Sequence, residues 1–232
     1  MSGTEIEING PDGPFMGYLA KPSASNAPAV VVIQEIFGVN GVMRGICDDL
    51  AAKGFVALCP DLFWRIEPRI QLTDKSEAEW KRAFELFGLF DPDSGVKDIQ
   101  ATITHLRSVD GANGKVGAVG YCLGGLMAYL TSTRTDVDAS VGYYGVGIQD
   151  RLDEQTKISK PLMLHVAELD QFVPAEAQAK MKEGLSGNDK VTLHHYAGLD
   201  HAFARKGGDH YDEAGATQAD ARTESFLKTH LG

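Results

Sequence analysis

The chain has 232 residues, of which 43% are hydrophobic and 23% charged, and its formal net charge is −10. This composition is typical of a globular domain, and the acidic balance without a basic cluster argues against nucleic acid or a polybasic membrane contact. The three cysteines have neither CxxC nor Cys/His spacing, so they indicate no disulfide framework and no metal site. We see no secretory leader and no apolar run of about 18 residues, and we expect a cytoplasmic protein.

Apolar runs and helical periodicity alternate along the chain. The first predicted element is a hairpin, with strands over 5–8 and 15–19 around a turn at 9–13. A strand over 29–34 follows, and its composition indicates that both of its faces are buried. The remaining predicted elements are, in order, helix 42–53, strand 55–59, helix 76–89 with Ser76 as its N-cap, helix 96–106, strand 116–119, helix 123–132, strands 139–144 and 162–166, helix 176–185, strand 191–196 and helix 217–230.

This alternation predicts an α/β fold with a mostly parallel central sheet, helices on both faces and an antiparallel hairpin at the N-terminal edge. No linker, repeat or low-complexity tract divides the chain, so we predict a single domain over 1–232. In such sheets the site lies at the carboxyl ends of the strands. The residues to inspect are those that follow the predicted strand ends: Gln34, Val119, Val166 and Tyr196.

A cysteine stands between glycines where one of these strands meets a helix. The segment Gly120-Tyr121-Cys122-Leu123-Gly124 has the spacing of a nucleophile elbow, which usually holds serine. The alternatives are a small buried cysteine in a glycine-rich turn and a dinucleotide-binding loop, although the glycines do not give GxGxxG. We favour Cys122 as a nucleophile, with the N–H of Leu123 as an oxyanion donor.

A thiol nucleophile needs a base and a group that orients the base. The order Cys, Asp, His along the chain matches that of α/β-hydrolase triads. His201 follows a predicted strand end and is the favoured base, with His210 in a nearby loop as its rival. Asp170 is the favoured orienting acid because its short side chain suits a tight loop. Two other carboxylates compete with it: Glu168 and Asp200.

One carboxylate stands in apolar surroundings. Glu35 follows the predicted buried strand 29–34, and an unpaired buried carboxylate is costly. One interpretation is a structural role with an arginine or backbone N–H partner. The functional interpretation places Glu35 beside the elbow, where it holds or takes the thiol proton. The N–H of Ile36 would then be the second oxyanion donor.

Several motifs together resemble those of the dienelactone hydrolases, or carboxymethylenebutenolidases: QEIFGVNGVMR, CPDLF, GKVGAVGYCLGG, VGYYGVG, DQFVPA and GLDHAFAR. The resemblance covers nearly the whole chain. It implies an α/β-hydrolase fold that opens an enol lactone in aromatic-compound breakdown without metal or cofactor. It also implies that Cys122 is the nucleophile and that His201 is the base, oriented by Asp170. It implies further that Glu35 pairs with the thiol until substrate arrives. The backbone amides of Ile36 and Leu123 would stabilise the oxyanion.

The same resemblance raises a question about the pocket wall. Arg205 matches one of two family arginines that grip a substrate carboxylate. The other arginine position is Trp80 here, with Arg82 two residues on, which is a rotation of about 200° on a helix. A family tyrosine appears as Phe84 and a family serine as Ala202, so the pocket becomes less polar. The other candidates for substrate contacts are aromatic: Phe37 and Phe172.

We therefore predict a monomeric hydrolase whose partner is a small-molecule lactone or ester. One alternative is a general carboxylesterase that acts on neutral activated esters, and another is a non-catalytic ligand-binding or sensing protein that keeps the elbow. Cys47 and Cys59 are predicted to be inert core residues.

Overall fold

In the computed structural model, which describes residues 3–232, eight strands form one sheet. The elements in chain order are β1 Thr4–Gly10, β2 Gly13–Ala20, β3 Ala27–Ile33, α1 Gly41–Ala52, β4 Val56–Pro60, α2 Glu77–Leu89, α3 Pro92–Arg107, β5 Ala112–Tyr121, α4 Leu123–Arg134, β6 Ala139–Tyr143, two 3₁₀ helices Ile148–Asp150 and Leu152–Lys157, β7 Leu162–Ala167, α5 Ala175–Leu185, β8 Val191–Tyr196 and α6 Glu213–Leu231. Within residues 3–232, no helix combines the length and apolarity needed to cross a membrane.

The strand order in the sheet is β1-β2-β4-β3-β5-β6-β7-β8. β2 pairs antiparallel with both β1 and β4, whereas every pair from β4 to β8 is parallel. The first two strands form the predicted hairpin, whose register closes at Gly10 and Gly13. The predicted fold class is thus confirmed, and the carboxyl ends of β3, β5, β7 and β8 lie along one edge of the sheet.

Helices cover both faces of this sheet. Successive residues of β5 point to opposite faces, as in any strand. Val119 and Tyr121 face a cavity that α1 and α6 also line, whereas Gly120 lies against the backbone of α4. The strand beside it, β3, has no solvent exposure from Val30 to Ile33, as its composition predicts. Burying each of these valine or isoleucine side chains contributes about 1.5–3 kcal/mol.

Capping side chains set several helix starts. Ser76 caps α2 as predicted, because its hydroxyl accepts a hydrogen bond from the N–H of Glu79 at 3.3 Å. α6 starts at Glu213 rather than at 217, because Asp212 caps it and accepts from the N–H of Gly215 at 2.7 Å. The sequence prediction started this helix too late, because the capping aspartate lies outside the apolar periodicity on which the prediction was based. The two 3₁₀ helices were also missed.

Candidate active site

The elbow holds Cys122 between the end of β5 and the start of α4. Its backbone angles, φ 56° and ψ −114°, lie in a region that costs a non-glycine residue about 1–3 kcal/mol. The flanking glycines allow this close approach. A Cβ on Gly120 would lie 1.8 Å from the carbonyl oxygen of Gly124, and one on Gly124 would lie 2.3 Å from the carbonyl oxygen of Ile33. The backbone is thus folded tightly around the cysteine.

The loops that follow β7 and β8 bring Asp170 to His201. The Oδ2 atom of Asp170 lies 2.7 Å from Nδ1 of the imidazole, and both side chains are buried. The other oxygen, Oδ1, accepts a hydrogen bond from the N–H of Phe172 at 2.8 Å. This bond fixes the carboxylate, which in turn holds Nδ1 protonated and leaves Nε2 as the nitrogen that can act as a base. His201 and Cys122 line the same cavity.

The rival residues have other partners. Glu168 is exposed, and Oδ1 of Asp200 accepts a hydrogen bond from the backbone N–H of His201 at 2.6 Å. His210 donates from Nδ1 to the carbonyl oxygen of His201 at 3.1 Å, so it contacts the backbone of the favoured base. Of the three candidate carboxylates, the structure brings only Asp170 to the imidazole ring.

The site has a marked effect on the charge of His201. Burial alone lowers the pKa of the imidazole, but the negative charge of a Cys122 thiolate and hydrogen bonds to Asp170 and Cys122 outweigh burial. Together they raise the pKa of His201 from 6.5 to about 10. The arrangement therefore favours the protonated form of His201 when the charge of a thiolate lies beside it.

Two backbone N–H groups beside the cysteine are free. In the part of the chain that the structure describes, residues 3–232, the N–H groups of Ile36 and Leu123 have no hydrogen-bond acceptor. Leu123 is the first residue of α4, where the helix leaves its N–H groups unpaired and its dipole favours negative charge. Ile36 lines the same cavity as Cys122. These amides can together donate to an oxygen that gains negative charge.

A narrow apolar cavity of about 50 Å³ opens onto the cysteine. Aromatic rings build its wall: Trp80 lies edge-on to Phe37 at 5.0 Å and stacks on Phe84 at 5.6 Å between ring centroids, and Phe172 lies 4.9 Å from the His201 ring. The cavity is lined by Ile36, Phe37, Trp80, Phe84, Phe87, Cys122, Val146, Phe172, His201 and Arg205.

Five of the predicted substrate-contact residues line this cavity: Arg205, Trp80, Phe84, Phe37 and Phe172. Sequence reasoning missed Phe87 and Val146. Phe87 lies three residues after Phe84 on α2, a spacing that could have identified it. Val146 lies in the loop after β6 and carries no such signal.

Arg82 is not among the residues that line the cavity. Its guanidinium pairs with Glu67 at 2.5 Å and with Glu85 at 2.9 Å. The cause is the helical rotation of about 200° between Trp80 and Arg82. The structure thus does not bring this predicted substrate contact to the site.

Glu35 is paired with an arginine, as one of its two interpretations requires. Glu35 is 1% exposed, and its carboxylate accepts two hydrogen bonds from Arg205, from Nε at 2.8 Å and from Nη2 at 3.1 Å. The predicted role of Glu35 with the thiol proton stays a prediction. The third guanidinium nitrogen of Arg205, Nη1, donates to Oδ2 of Asp74 at 3.1 Å. Asp74 was missed because it lies in a polar loop far away in sequence.

The two other cysteines lie in the core, as predicted. Cys47 and Cys59 are both fully buried. Burial, together with the neighbouring Cys59, raises the pKa of Cys47 well above its ordinary value. Within residues 3–232, no group of three or more histidine, cysteine, aspartate or glutamate side chains is arranged to hold a metal ion.

Comparison with known proteins gives consistent matches. Residues 15–231 match the profile of the dienelactone hydrolase family. A "Putative carboxymethylenebutenolidase" of Azospirillum brasilense is 48% identical over 232 residues, which cover 99% of this chain and 100% of that protein. The carboxymethylenebutenolidase of Pseudomonas putida is 39% identical over 223 residues, 96% of this chain and 94% of that protein. A crystal structure of a "Putative Dienelactone Hydrolase" from Klebsiella pneumoniae has a TM-score of 0.86 at 22% identity, with 97% and 98% of the chains covered.

Proposed function

The chain belongs to the dienelactone hydrolase family, and from that premise we propose that it opens a small lactone or activated ester through a thioester on Cys122. One observation carries the proposal: the buried Asp170–His201 pair shares an apolar cavity with a cysteine on a strained elbow. A nucleophile, a base and a residue that orients the base are the parts that acyl transfer needs.

In the first half-reaction, the Cys122 thiolate attacks the substrate carbonyl while His201 carries the proton. The carbonyl oxygen becomes an oxyanion, which the free N–H groups of Ile36 and Leu123 stabilise. As the tetrahedral intermediate collapses, the C–O bond of the lactone breaks and the leaving oxygen departs as an enolate or alkoxide. Imidazolium at His201 can supply the proton that this oxygen takes up.

In the second half-reaction, neutral His201 removes a proton from water, and the resulting hydroxide attacks the thioester. The same two amides stabilise the second oxyanion. Cys122 leaves as a thiolate, and Asp170 keeps the imidazole in the required tautomer throughout. No metal or cofactor takes part in this scheme. Sulfur suits substrates with good leaving groups. A thiolate is itself a good leaving group, so an intermediate whose other leaving group is poor would expel Cys122 and return to substrate.

A second candidate function is a general carboxylesterase that acts on neutral activated esters. The aromatic wall of the cavity favours it: Trp80, Phe84 and Phe172 present rings rather than charges to the substrate. Both functions share one mechanism and differ only in the substrate that the wall accepts. A panel of carboxylated and neutral lactones and esters distinguishes them through the ratio of their kcat/KM values.

The proposal is tested by Cys122→Ala. We expect hydrolysis of both a lactone and an aryl ester to fall by at least about 10³-fold, because the thiol that forms the covalent intermediate is removed. Cys47→Ala is the matched control, since it removes an equally buried thiol outside the site, and it should leave turnover in place. Retained activity in Cys122→Ala would contradict the proposal. A wild-type protein that turns over neither substrate would instead favour the binding or sensing alternative.

A further inference from the structure

A second cavity lies on the face of the sheet opposite to α4. Its volume is about 420 Å³, which is within the range of small-molecule sites. Helices α1 and α6 line it together with β5, whose last residue, Tyr121, directly precedes Cys122. None of its lining residues also lines the cavity that opens onto Cys122. The fold therefore offers a second place for a small molecule, separate from the catalytic cavity.

Much of the lining of this second cavity is apolar. Val42 and Ile46 of α1 contribute aliphatic side chains to it, as does Val119 of β5. α1 also contributes Gly41 and Gly45, at which an added Cβ would meet no atom within 4 Å, so the space beside the helix is open. A hydrocarbon chain or an aromatic ring placed there would remove apolar surface from water.

Asp220 of α6 lines the same cavity and has no cationic partner. Its Oδ1 accepts a hydrogen bond from the hydroxyl of Tyr143 at 3.1 Å. Within residues 3–232, no lysine, arginine or histidine nitrogen lies within 4 Å of its carboxylate. Burial raises the pKa of Asp220 above its usual value, although that hydrogen bond and two nearby lysines act in the opposite direction. The carboxylate is thus desolvated without a compensating ion pair.

Two lysines line this cavity, but another carboxylate pairs with each of them. Nζ of Lys206 lies 2.8 Å from Oδ2 of Asp49, and Nζ of Lys53 lies 3.2 Å from Oε2 of Glu224. Both lysines are exposed, so solvent and salt screen their charges. The lining therefore has a carboxylate, that of Asp220, with which a bound cation can pair.

The hydroxyl of Tyr121 is a second polar group in this lining without a partner. Tyr121 is 7% exposed, and its ring stacks on that of Tyr143 at 4.7 Å between centroids. In the described part of the chain, residues 3–232, its hydroxyl makes no hydrogen bond. A buried phenol usually finds a partner. Burial raises the pKa of Tyr121 well above its ordinary value, and the negative charge of Asp220 raises it further, so the two groups are close enough to interact.

We propose that this second cavity is a binding site for a primary ammonium ion that carries an apolar or aromatic group. The N–H groups of the ammonium ion can donate to Oδ2 of Asp220 and to the hydroxyl oxygen of Tyr121, while the apolar group packs along α1. An amine is favoured over a neutral alcohol of the same shape, because a hydrogen bond between two charged groups is the stronger one. The inference goes beyond the proposed function, since it concerns a site outside the catalytic cavity.

The test is Asp220→Asn, which removes the charge and keeps an oxygen that can accept from Tyr143. The probes are 2-phenylethylamine, which is a cation at neutral pH, and 2-phenylethanol, which has nearly the same shape without the charge. Calorimetry or NMR titration measures both affinities. In wild type we expect the amine to bind about tenfold more tightly than the alcohol, and in Asp220→Asn we expect the two to bind about equally.

Asp153→Asn is the matched control. Asp153 is an exposed aspartate that does not line this cavity, so its substitution removes the same charge elsewhere on the protein. The preference for the amine should stay unchanged in this variant. Tyr121→Phe keeps the ring and removes the unpartnered hydroxyl, and it should weaken binding of the amine about threefold.

Amide chemical shifts locate the bound amine. We expect the largest changes at residues that line the second cavity, such as Gly45 and Lys206, and small changes at Phe172 in the catalytic cavity. Asp220→Ser serves as a second variant if the asparagine protein does not fold. Absence of binding, equal affinity of wild type for the two probes, an amine preference that survives in folded Asp220 variants, or shifts confined to the catalytic cavity would each overturn the inference. None of these measurements involves turnover, so failure of the thioester mechanism would leave the inference intact.

Discussion

Adding a single methyl group at Gly120 tests the elbow most severely. In Gly120→Ala the new Cβ would lie 1.8 Å from the carbonyl oxygen and 2.4 Å from the carbonyl carbon of Gly124. An ordinary contact needs about 3.4 Å, so α4 must move away from β5 by more than 1 Å, and no flexible side chain can yield instead. Overpacking of this kind costs about 3 kcal/mol, the upper end of the usual range.

For a chain of this length, that loss corresponds to a fall in Tm of about 6–12 °C. Because the shift also displaces Cys122 and the N–H of Leu123, we expect kcat/KM to fall about 10²-fold. Urea unfolding and initial rates on an aryl ester measure the two effects. Gly45→Ala is the control: it adds a Cβ inside α1 that meets no atom within 4 Å, and it should stabilise the helix by about 0.5–1 kcal/mol. A Gly120→Ala protein as stable and active as wild type would refute this account of the elbow.

Two further substitutions each remove the negative charge of one carboxylate, that of Asp170 or that of Glu154. Asp170→Asn should lower kcat about 10²–10⁴-fold, because it removes the carboxylate that holds the imidazole of His201 in the required tautomer, and stopped-flow or steady-state kinetics on the aryl ester checks this. Glu154 accepts hydrogen bonds from Arg134 at 2.5 and 2.9 Å, which lower its pKa from 4.5 to about 2. The carboxylate of Glu154 therefore contributes stability above pH 4.5 that is lost as the pH falls through 2. In Glu154→Gln the free energy of unfolding should lie below that of wild type by a constant amount at pH 5–7, and the gap should close towards pH 2; a gap independent of pH would contradict this pairing.

The sheet could be predicted because its signals are local. Period-2 alternation and apolar runs identify strands one at a time, and β8, Val191–Tyr196, was predicted with the bounds that the structure gives. Helix starts were less certain because capping lies outside the apolar periodicity, as Asp212 shows for α6. The α/β-hydrolase order of strand, elbow and loops then places Cys122, Asp170 and His201 at one edge, where their pairing could be expected.

The partners of Arg205 could not be predicted in this way. Glu35 and Asp74 lie 170 and 131 residues away from it in sequence, and no periodicity connects them. Only the folded chain brings these three charges together. The helical rotation between Trp80 and Arg82 explains why Arg82 points away from the cavity. Its pairing with Glu67, in contrast, depends on a loop that carries no sequence signal.

The central claim is the thioester on Cys122, and mass spectrometry of the trapped intermediate tests it most directly. The protein is mixed with excess aryl ester, quenched in acid within the first turnovers, digested and analysed. We predict that the acyl mass is found on the peptide that carries Cys122, that it is absent in Cys122→Ala, and that Asp170→Asn alters how much of it accumulates. Steady turnover with an unmodified Cys122 peptide at every quench time, or an acyl group on another residue, would contradict the account.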